Sequence, residues 1–334
     1  MKKIINTPET YVSDMLAGIY AAHGDMVRCV ADDLKCYCTT HKIDGKVALV
    51  TGGGSGHLPL FLGYVGDGML DGCGVGEVFQ SPSAEQLYEI TKAVDNGAGV
   101  LYVYGNYTGD IMNFDMAAEL AEMDDIETAS VVGNDDVMSA EKGNENIRRG
   151  VAGIFFVYKC AGAMADEMAS LAEVKRIAEK AGSMVRTVGF ATSPCIIPEI
   201  GKPNFTVDEG KLAMGMGIHG EPGIRVEDIM TAKEIVDEAI AAITADIAYA
   251  AGDEVAVLVN GLGATPLDEL YILYNEIHKN LSEKGIKVFH LWAGEFATSM
   301  EMSGASITMM KLDDELKRLL AKPAHTPFFT QLQL

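Results

Sequence analysis

The sequence predicts an α/β protein of two domains, each with a mostly parallel sheet flanked by helices. Three observations predict it. Short apolar runs recur along the 334 residues, and several end in glycine, asparagine or aspartate before a helical stretch begins. That alternation of strand and helix is the pattern of parallel α/β layers. A hydrophobic content of 48% over this length is enough for one large or two medium cores. Finally, Pro194, Pro198 and Pro203 break regular structure, which puts a boundary near residue 185. The expected domains are therefore 1–185 and 186–334.

In chain order, Thr7 to about His23 reads as a helix capped by Thr7, with Val12, Met15, Leu16 and Ile19 on one face. Asp25 to His41 shows no strong period. Lys46 to Thr51 is a buried strand that runs into Gly52-Gly53-Gly54-Ser55-Gly56-His57. A strand that ends in glycines and turns into a helix presents backbone N–H groups to a ligand, and this is the expectation for the loop. Phe61 to Leu70 is broken by glycines, and Gly72 to Gly76 has a GxGxG look without the βαβ frame of a dinucleotide site. Ser83 to Asn96 is a helix capped by Ser83 or Ser81. A strand from Gly99 to Tyr104 leads into Gly105-Asn106-Tyr107-Thr108-Gly109-Asp110, and a helix follows to about Met123. Thr128 to Val132 is a strand, Gly150 to Tyr158 is strand or buried helix, Ala161 to Ala181 is a helix and Ser183 to Ala191 a strand.

Beyond the boundary, Leu212 to Gly223 reads as a glycine-rich loop carrying His219 and Glu221. A helix from Glu227 to about Ala248, strand Glu254–Val259, helix Leu267–Lys284 and strand Lys287–Trp292 follow. Strand Ser306–Lys311 and helix Asp313–Ala321 close the regular structure. The tail from Pro323 to Leu334 has no period and is expected to be loose or an interface arm.

A formal net charge of −22 opposes nucleic acid and anionic membranes as partners. No apolar run reaches the roughly 18 residues of a membrane span, and the first residues lack the apolar core of a secretory signal. The expectation is a cytoplasmic protein. The cysteines Cys29, Cys36, Cys38, Cys73, Cys160 and Cys195 are spaced for neither a thioredoxin nor a zinc motif and are expected to stay reduced. No metal-ligand cluster is visible.

The glycine run lacks the lysine of GxxxxGK[ST], so the chain is not expected to be a self-sufficient ATPase. Nor does a GxSxG elbow frame Ser55. What remains is two accessible histidines on glycine loops, His57 and His219, together with Asp110. A neutral imidazole can attack a ketone and give a hemiaminal, a carboxylate can take a hydroxyl proton, and a second histidine can move protons. A small polyhydroxy ketone suits such a set. A surface turn at either histidine, and a helix-start acid at Asp110, explain the same residues without a site. Spacing alone does not show that the three meet.

Several motifs together resemble the substrate-binding (K) subunit of dihydroxyacetone kinases: Gly52 to His57, Asn106 to Asp110, and Gly217-Ile218-His219-Gly220-Glu221-Pro222-Gly223. Lys46 to Leu49, Gly201 to Thr206 and Asn260 to Leu267 add to the match, in order and over nearly the whole chain. The resemblance implies a homodimer of two-domain α/β subunits. It implies covalent ketone binding by His219, acid/base help from His57, and Asp110 as base for the hydroxyl that receives phosphate. Gly53, Gly54, Ser55, Gly56 and Gly105 would line the substrate. The chain itself would bind no cofactor; ADP or ATP with Mg belongs to a separate L subunit or fused L domain, recharged in one form of the family by the phosphotransferase system.

Two positions depart from the family pattern. Leu58 follows His57 where the family has glutamate, and Gly105 stands where it has lysine. The first removes a carboxylate beside His57, the second removes a polar contact and leaves more room, and together they point to a longer ketose such as erythrulose. Two other readings go with them: a ketose-sensing paralogue that serves a regulator without turnover, and an unrelated isomerase or aldolase.

Overall fold

A computed structural model describes residues 2–221 and 223–334; Pro222 of the His219 motif lies outside the described residues. The elements, in chain order, are α1 (Tyr11–His23), β1 (Val27–Val30), β2 (Asp33–Thr39), β3 (Ala48–Ser55), β4 (Gly72–Val78), α2 (Ala84–Val94), β5 (Val100–Gly105), α3 (Thr108–Met123) and β6 (Thr128–Gly133). They continue with α4 (Ile154–Ala165), α5 (Leu171–Met184), β7 (Val185–Ala191), β8 (Lys211–Met214), β9 (Arg225–Asp228), α6 (Ala232–Asp246) and β10 (Glu254–Gly261). Last come α7 (Leu267–Glu283), β11 (Lys287–Gly294), β12 (Gly304–Leu312), α8 (Asp314–Leu320), β13 (Ala324–His325) and β14 (Thr330–Gln331).

The fold is α/β, with two six-stranded sheets flanked by helices. The chain divides into two compact units. The first holds residues up to Gly133, then Phe155–Ala181 and Leu316–Leu334; the second holds Asn134–Ile154 and Gly182–Glu315. The sequence reading had contiguous domains, 1–185 and 186–334. A buried carboxylate accounts for the early passage into the second unit. Asp135 accepts from the Val151 and Gly153 amides at 2.9 and 2.8 Å and from the Thr187 hydroxyl, which ties 134–154 onto β7.

The first sheet has the order β1-β2-β4-β3-β5-β6, with β4-β3-β5-β6 parallel and β1 and β2 antiparallel. Its core packs Leu87, Ile90, Phe114 and Ala117 of α2 and α3 on Ala48, Val50, Tyr102 and Tyr104 of the strands. The second sheet, β11-β10-β12-β7-β8-β9, has one parallel pair, β10 with β11. All its other pairs are antiparallel, which corrects the mostly parallel expectation for this unit. β12, which follows β11 without a helix between them and runs back between β10 and β7, makes two of these pairs, and β8 and β9 at the other edge make the remaining two. Its core joins Ile235, Ala239 and Ile243 of α6 and Leu273 and Ile277 of α7 to Val257, Val259 and Ile307 of the sheet.

Other expectations also shift. The Asp25–His41 stretch is the β1/β2 hairpin, and the glycine-rich Gly72–Val78 passage is a strand. The first helix begins at Tyr11, because the Thr7 hydroxyl closes a turn by accepting from the Thr10 amide at 3.3 Å. The helix predicted over Ala161–Ala181 is two: it breaks at Asp166, which meets Lys46 at 3.3 Å, and restarts after Ser170. Glu227 falls in β9, and α6 starts only at Ala232 behind a Thr231–Glu234 capping box. The tail is ordered against the first unit. Thr326 donates to the Gly63 carbonyl at 2.7 Å, and the Gln331 amide donates to the carbonyls of Leu320 and Lys322. None of the six cysteines is in a disulfide.

Candidate functional site

In the first unit, β3 and β5 are parallel neighbours, paired from Ala48↔Val100 to Val50↔Tyr102. Their carboxyl ends therefore share one edge of the sheet, the edge where open α/β sheets place ligand chemistry. One end leads into Gly56 and His57, the other into Gly105 and the start of α3.

The glycine run is not a loop. Gly52, Gly53 and Gly54 are strand residues in register with Gly74, Val75 and Gly76 of β4. Neighbours explain their size. A Cβ on Gly53 would lie 2.0 Å from the Phe61 ring, one on Gly54 2.6 Å from the Gln80 amide, and one on Gly52 2.9 Å from Pro82. The glycines bring the Phe61 ring and the 79–82 segment onto the strand; they leave no open cradle for a nucleotide phosphate, and no helix follows at once. The Ser55 hydroxyl donates to the Gly76 carbonyl at 2.7 Å. A cavity of about 10 Å³ lined by Gly53, Gly54, Ser55, Gly56 and Leu58 holds no more than one water. Leu58 also lines a groove of about 420 Å³ with Ile4, Ile5, Tyr11 and Met15, so its apolar side chain serves the amino-terminal segment.

His57 is fully buried, contrary to its expected place at an accessible rim. Its ring stacks on Phe79 at 4.9 Å between centroids and meets the edge of Phe61 at 6.0 Å. Phe79 holds φ at +59°, an uncommon backbone state for an aromatic residue that sets its ring against the imidazole. Neither phenylalanine stood out in the sequence, because an aromatic beside a glycine run reads as ordinary core.

Asp110 occupies the first turn of α3 and is buried, where the helix dipole favours its anion. The turn sits tightly against the segment after Phe79: a Cβ on Gly109 would lie 2.7 Å from Ser81 Oγ, and Asn113 donates to the Pro82 carbonyl at 2.8 Å. His57 and the first turns of α3 thus both pack on the 79–82 segment.

In the second unit, His219 lies in the connection between β8 and β9, a hairpin that the glycine content concealed. The ring is half-buried and its Nδ1 is 2.9 Å from Glu221 Oε1. The other oxygen, Oε2, accepts from the His219 amide at 3.0 Å. Burial works to raise the Glu221 pKa, but the bond to His219 and the charges of His219 and Arg149 outweigh it and hold the group at about 2. A carboxylate only accepts, so Nδ1 carries the proton, and in the neutral ring Nε2 carries the lone pair. The orienting role read for Glu221 in the sequence matches this contact.

Behind Glu221 stands Arg149, whose Nη1 is 3.9 Å from Glu221 Oε2 and whose Nη2 donates to the Gly215 carbonyl at 2.7 Å. Arg149 is paired with buried Asp136, Nη2 to Oδ2 at 2.8 Å. Burial pushes the Asp136 carboxyl up to about 6 against the pull of Arg149. A Cβ on Gly217 would lie 2.2 Å from Glu221 Oε2, so a larger residue there would displace the carboxylate from its present place. Gly220, at φ +76°, lets Asn204 reach the His219 carbonyl at 2.9 Å. Arg149 and Asp136 carried no signal in the sequence, standing about 70 and 83 residues from His219.

With this geometry described, comparison with known proteins decides the lineage. Residues 17–328 match the Dak1 domain. The chain belongs to the Dak1 domain family. It is 45% identical over 315 residues to the dihydroxyacetone-binding subunit DhaK of PTS-dependent dihydroxyacetone kinase 1 of Listeria innocua, covering 94% of this chain and 95% of that one. It is 43% identical to the D-erythrulose kinase of Mycolicibacterium smegmatis, covering 98% of this chain and 56% of that longer protein. Among solved structures, the dihydroxyacetone kinase operon co-activator DhaQ superposes with a TM-score of 0.87 at 30% identity, over 93% of this chain and 96% of that one. No group of three or more His, Cys, Asp or Glu among the described residues could hold a metal ion, and no helix is long and apolar enough to cross a membrane.

Proposed function

We propose that this chain is the ketose-binding subunit of a dihydroxyacetone-type kinase, a phosphotransferase acting on an alcohol group. One observation carries the reading within the Dak1 family: His219 holds its Nδ1 proton against an ionised Glu221 and so keeps Nε2 as a nucleophile. In this reading Nε2 adds to the ketone carbon, the carbonyl oxygen takes a proton, and the ketose is held as a hemiaminal. His57 assists with proton transfer and Asp110 takes the proton of the hydroxyl that accepts phosphate. Gly53, Gly54, Ser55, Gly56 and Gly105 line the substrate, which requires the cavity of about 10 Å³ beside the first four to open on binding. The crowding over Gly52 to Gly54 supports a nucleotide that resides on a partner, an L-type subunit carrying ADP or ATP with Mg. A phosphotransferase-system protein as phosphoryl source, a homodimer and a cytoplasmic site of action complete the proposal.

Two relatives sharpen the choice of substrate and role. The likeness to D-erythrulose kinase favours a four-carbon ketose as a second substrate, since Gly105 offers no side chain to fill space. The likeness to the co-activator DhaQ favours a sensor that binds without turnover. Phosphorylation of dihydroxyacetone and of erythrulose, assayed with a nucleotide-holding subunit and compared with direct ketose binding, tests all three. Turnover of either ketose supports the kinase. Saturable binding with no turnover supports the sensor, and a strong preference for dihydroxyacetone removes the longer ketose.

A further inference from the structure

Helix α3 carries an exposed face that the first unit does not cover. Met112, Met116 and Met123 are 63%, 53% and 80% exposed. At 3.6 residues per turn the three lie within an arc of about 40°. Exposed Glu119 lies about 20° beyond one edge of the arc, and exposed Asp115 and Glu122 follow on that side. The surroundings are strongly acidic. From residue 93 to residue 133 there is no lysine or arginine, against eight aspartates and glutamates. The lysine just before this stretch, Lys92 at the end of α2, is paired with Glu89 at 2.7 Å.

Three large apolar side chains in line on one helix are not the scattered singletons of an ordinary surface. Methionine is the side chain that adapts to a facing surface, and an acidic border selects a basic one. The same acidity repels phosphate-rich surfaces, both nucleic acid and anionic lipid. Position along the helix narrows the partner further. Asp110 is in the first turn of α3, and Met112 and Met116 stand only about 3 and 9 Å farther along its axis at 1.5 Å per residue. A protein that brings a phosphoryl group to a hydroxyl at Asp110 has to settle around that end of α3.

We propose that the Met112–Met116–Met123 face of α3, with Asp115, Glu119 and Glu122, is the docking surface for the phosphoryl-delivering partner, through a basic, apolar patch on that partner. The proposal rests on the kinase reading above. It is tested with the full chain and, as probe, the nucleotide-holding subunit of the Listeria innocua dihydroxyacetone kinase loaded with ADP. Affinity is measured by calorimetry at low and high salt for wild type, for M112S/M116S and for E119K/E122K.

The expected result is at least tenfold weaker binding for the methionine pair. For the charge pair we expect severalfold weaker binding and a flatter salt dependence. Ketose binding should stay at the wild-type level in both, since neither pair is among the proposed ketose residues. Equal affinity of all three proteins for the probe overturns the proposal while leaving the kinase reading intact, and so does absence of binding by wild type. Weakened binding in the variants when wild type turns over no ketose supports the surface and overturns the kinase reading. Sedimentation of the chain alone gives the remaining outcome: a self-association that the methionine variants abolish overturns the partner assignment in favour of a second copy.

Discussion

The two units place a histidine by opposite means. In the first, His57 is held dry between Phe79 and Phe61, over glycines that let a ring approach the strand. In the second, His219 stands half-open on a hairpin and is held by charge, through Glu221, Arg149 and Asp136 in series. Packing fixes where a ring lies. A carboxylate partner fixes, in addition, which nitrogen keeps the proton. The second arrangement suits an atom that must be reached and must attack; the first suits a group that must be positioned and shielded.

The largest effect that would test this contrast is removal of the reactive groups. His219→Ala is expected to lower ketose phosphorylation by about 1,000-fold or more and to abolish ketose binding, read by steady-state kinetics and calorimetry. Asp110→Asn should lower turnover by about 100- to 10,000-fold with ketose affinity little changed. A variant of His219 with full activity would erase the distinction between the units.

Glu221→Gln comes next. The amide both donates and accepts, so it no longer dictates the tautomer of His219, and turnover should fall by about 10- to 100-fold. Unchanged kinetics would mean that loop packing alone orients the ring. In the first unit the counterpart is Gly53→Ala, which drives a methyl into the Phe61 ring. A loss of about 1–3 kcal/mol of stability is expected, seen as a lower Tm. A neutral result there would show that Phe61 moves aside freely.

The smallest effect is a pH dependence. The folded Asp136 carboxyl takes up its proton near pH 6, before the unfolded chain does near pH 4. Between those values the native state binds more protons, so this group raises stability as pH falls and lowers it as pH rises. The Tm of wild type relative to Asp136→Asn should therefore climb by a few degrees from pH 7 to pH 5. A flat difference would show that Arg149 keeps Asp136 ionised throughout.

Much of the architecture was legible in local pattern. The helix from Ser83 was readable from its serine cap, α7 from its apolar face at helical spacing and β10 from its unbroken apolar run. Glycine-rich strands defeated the same reasoning. The end of β3 read as a loop and β4 gave no strand signal, since glycine has no side chain to show a period and these glycines answer to Pro82, Leu87 and Phe61 packed across them. The β8/β9 hairpin was hidden for the same reason. The break between α4 and α5 was missed because Asp166 answers to Lys46, far away in sequence.

By itself, then, the chain determined an α/β protein of the Dak1 family, and it singled out His57, Asp110, His219 and Glu221. Those signals are local: residue types on short loops, and periods within one helix or strand. Only the tertiary structure decided that His57 is buried, that the glycines are packing surface, that Arg149 and Asp136 stand behind His219, and that the tail closes on the first unit. Each of these depends on groups distant in sequence coming within a few ångströms, and no one-dimensional pattern records that distance.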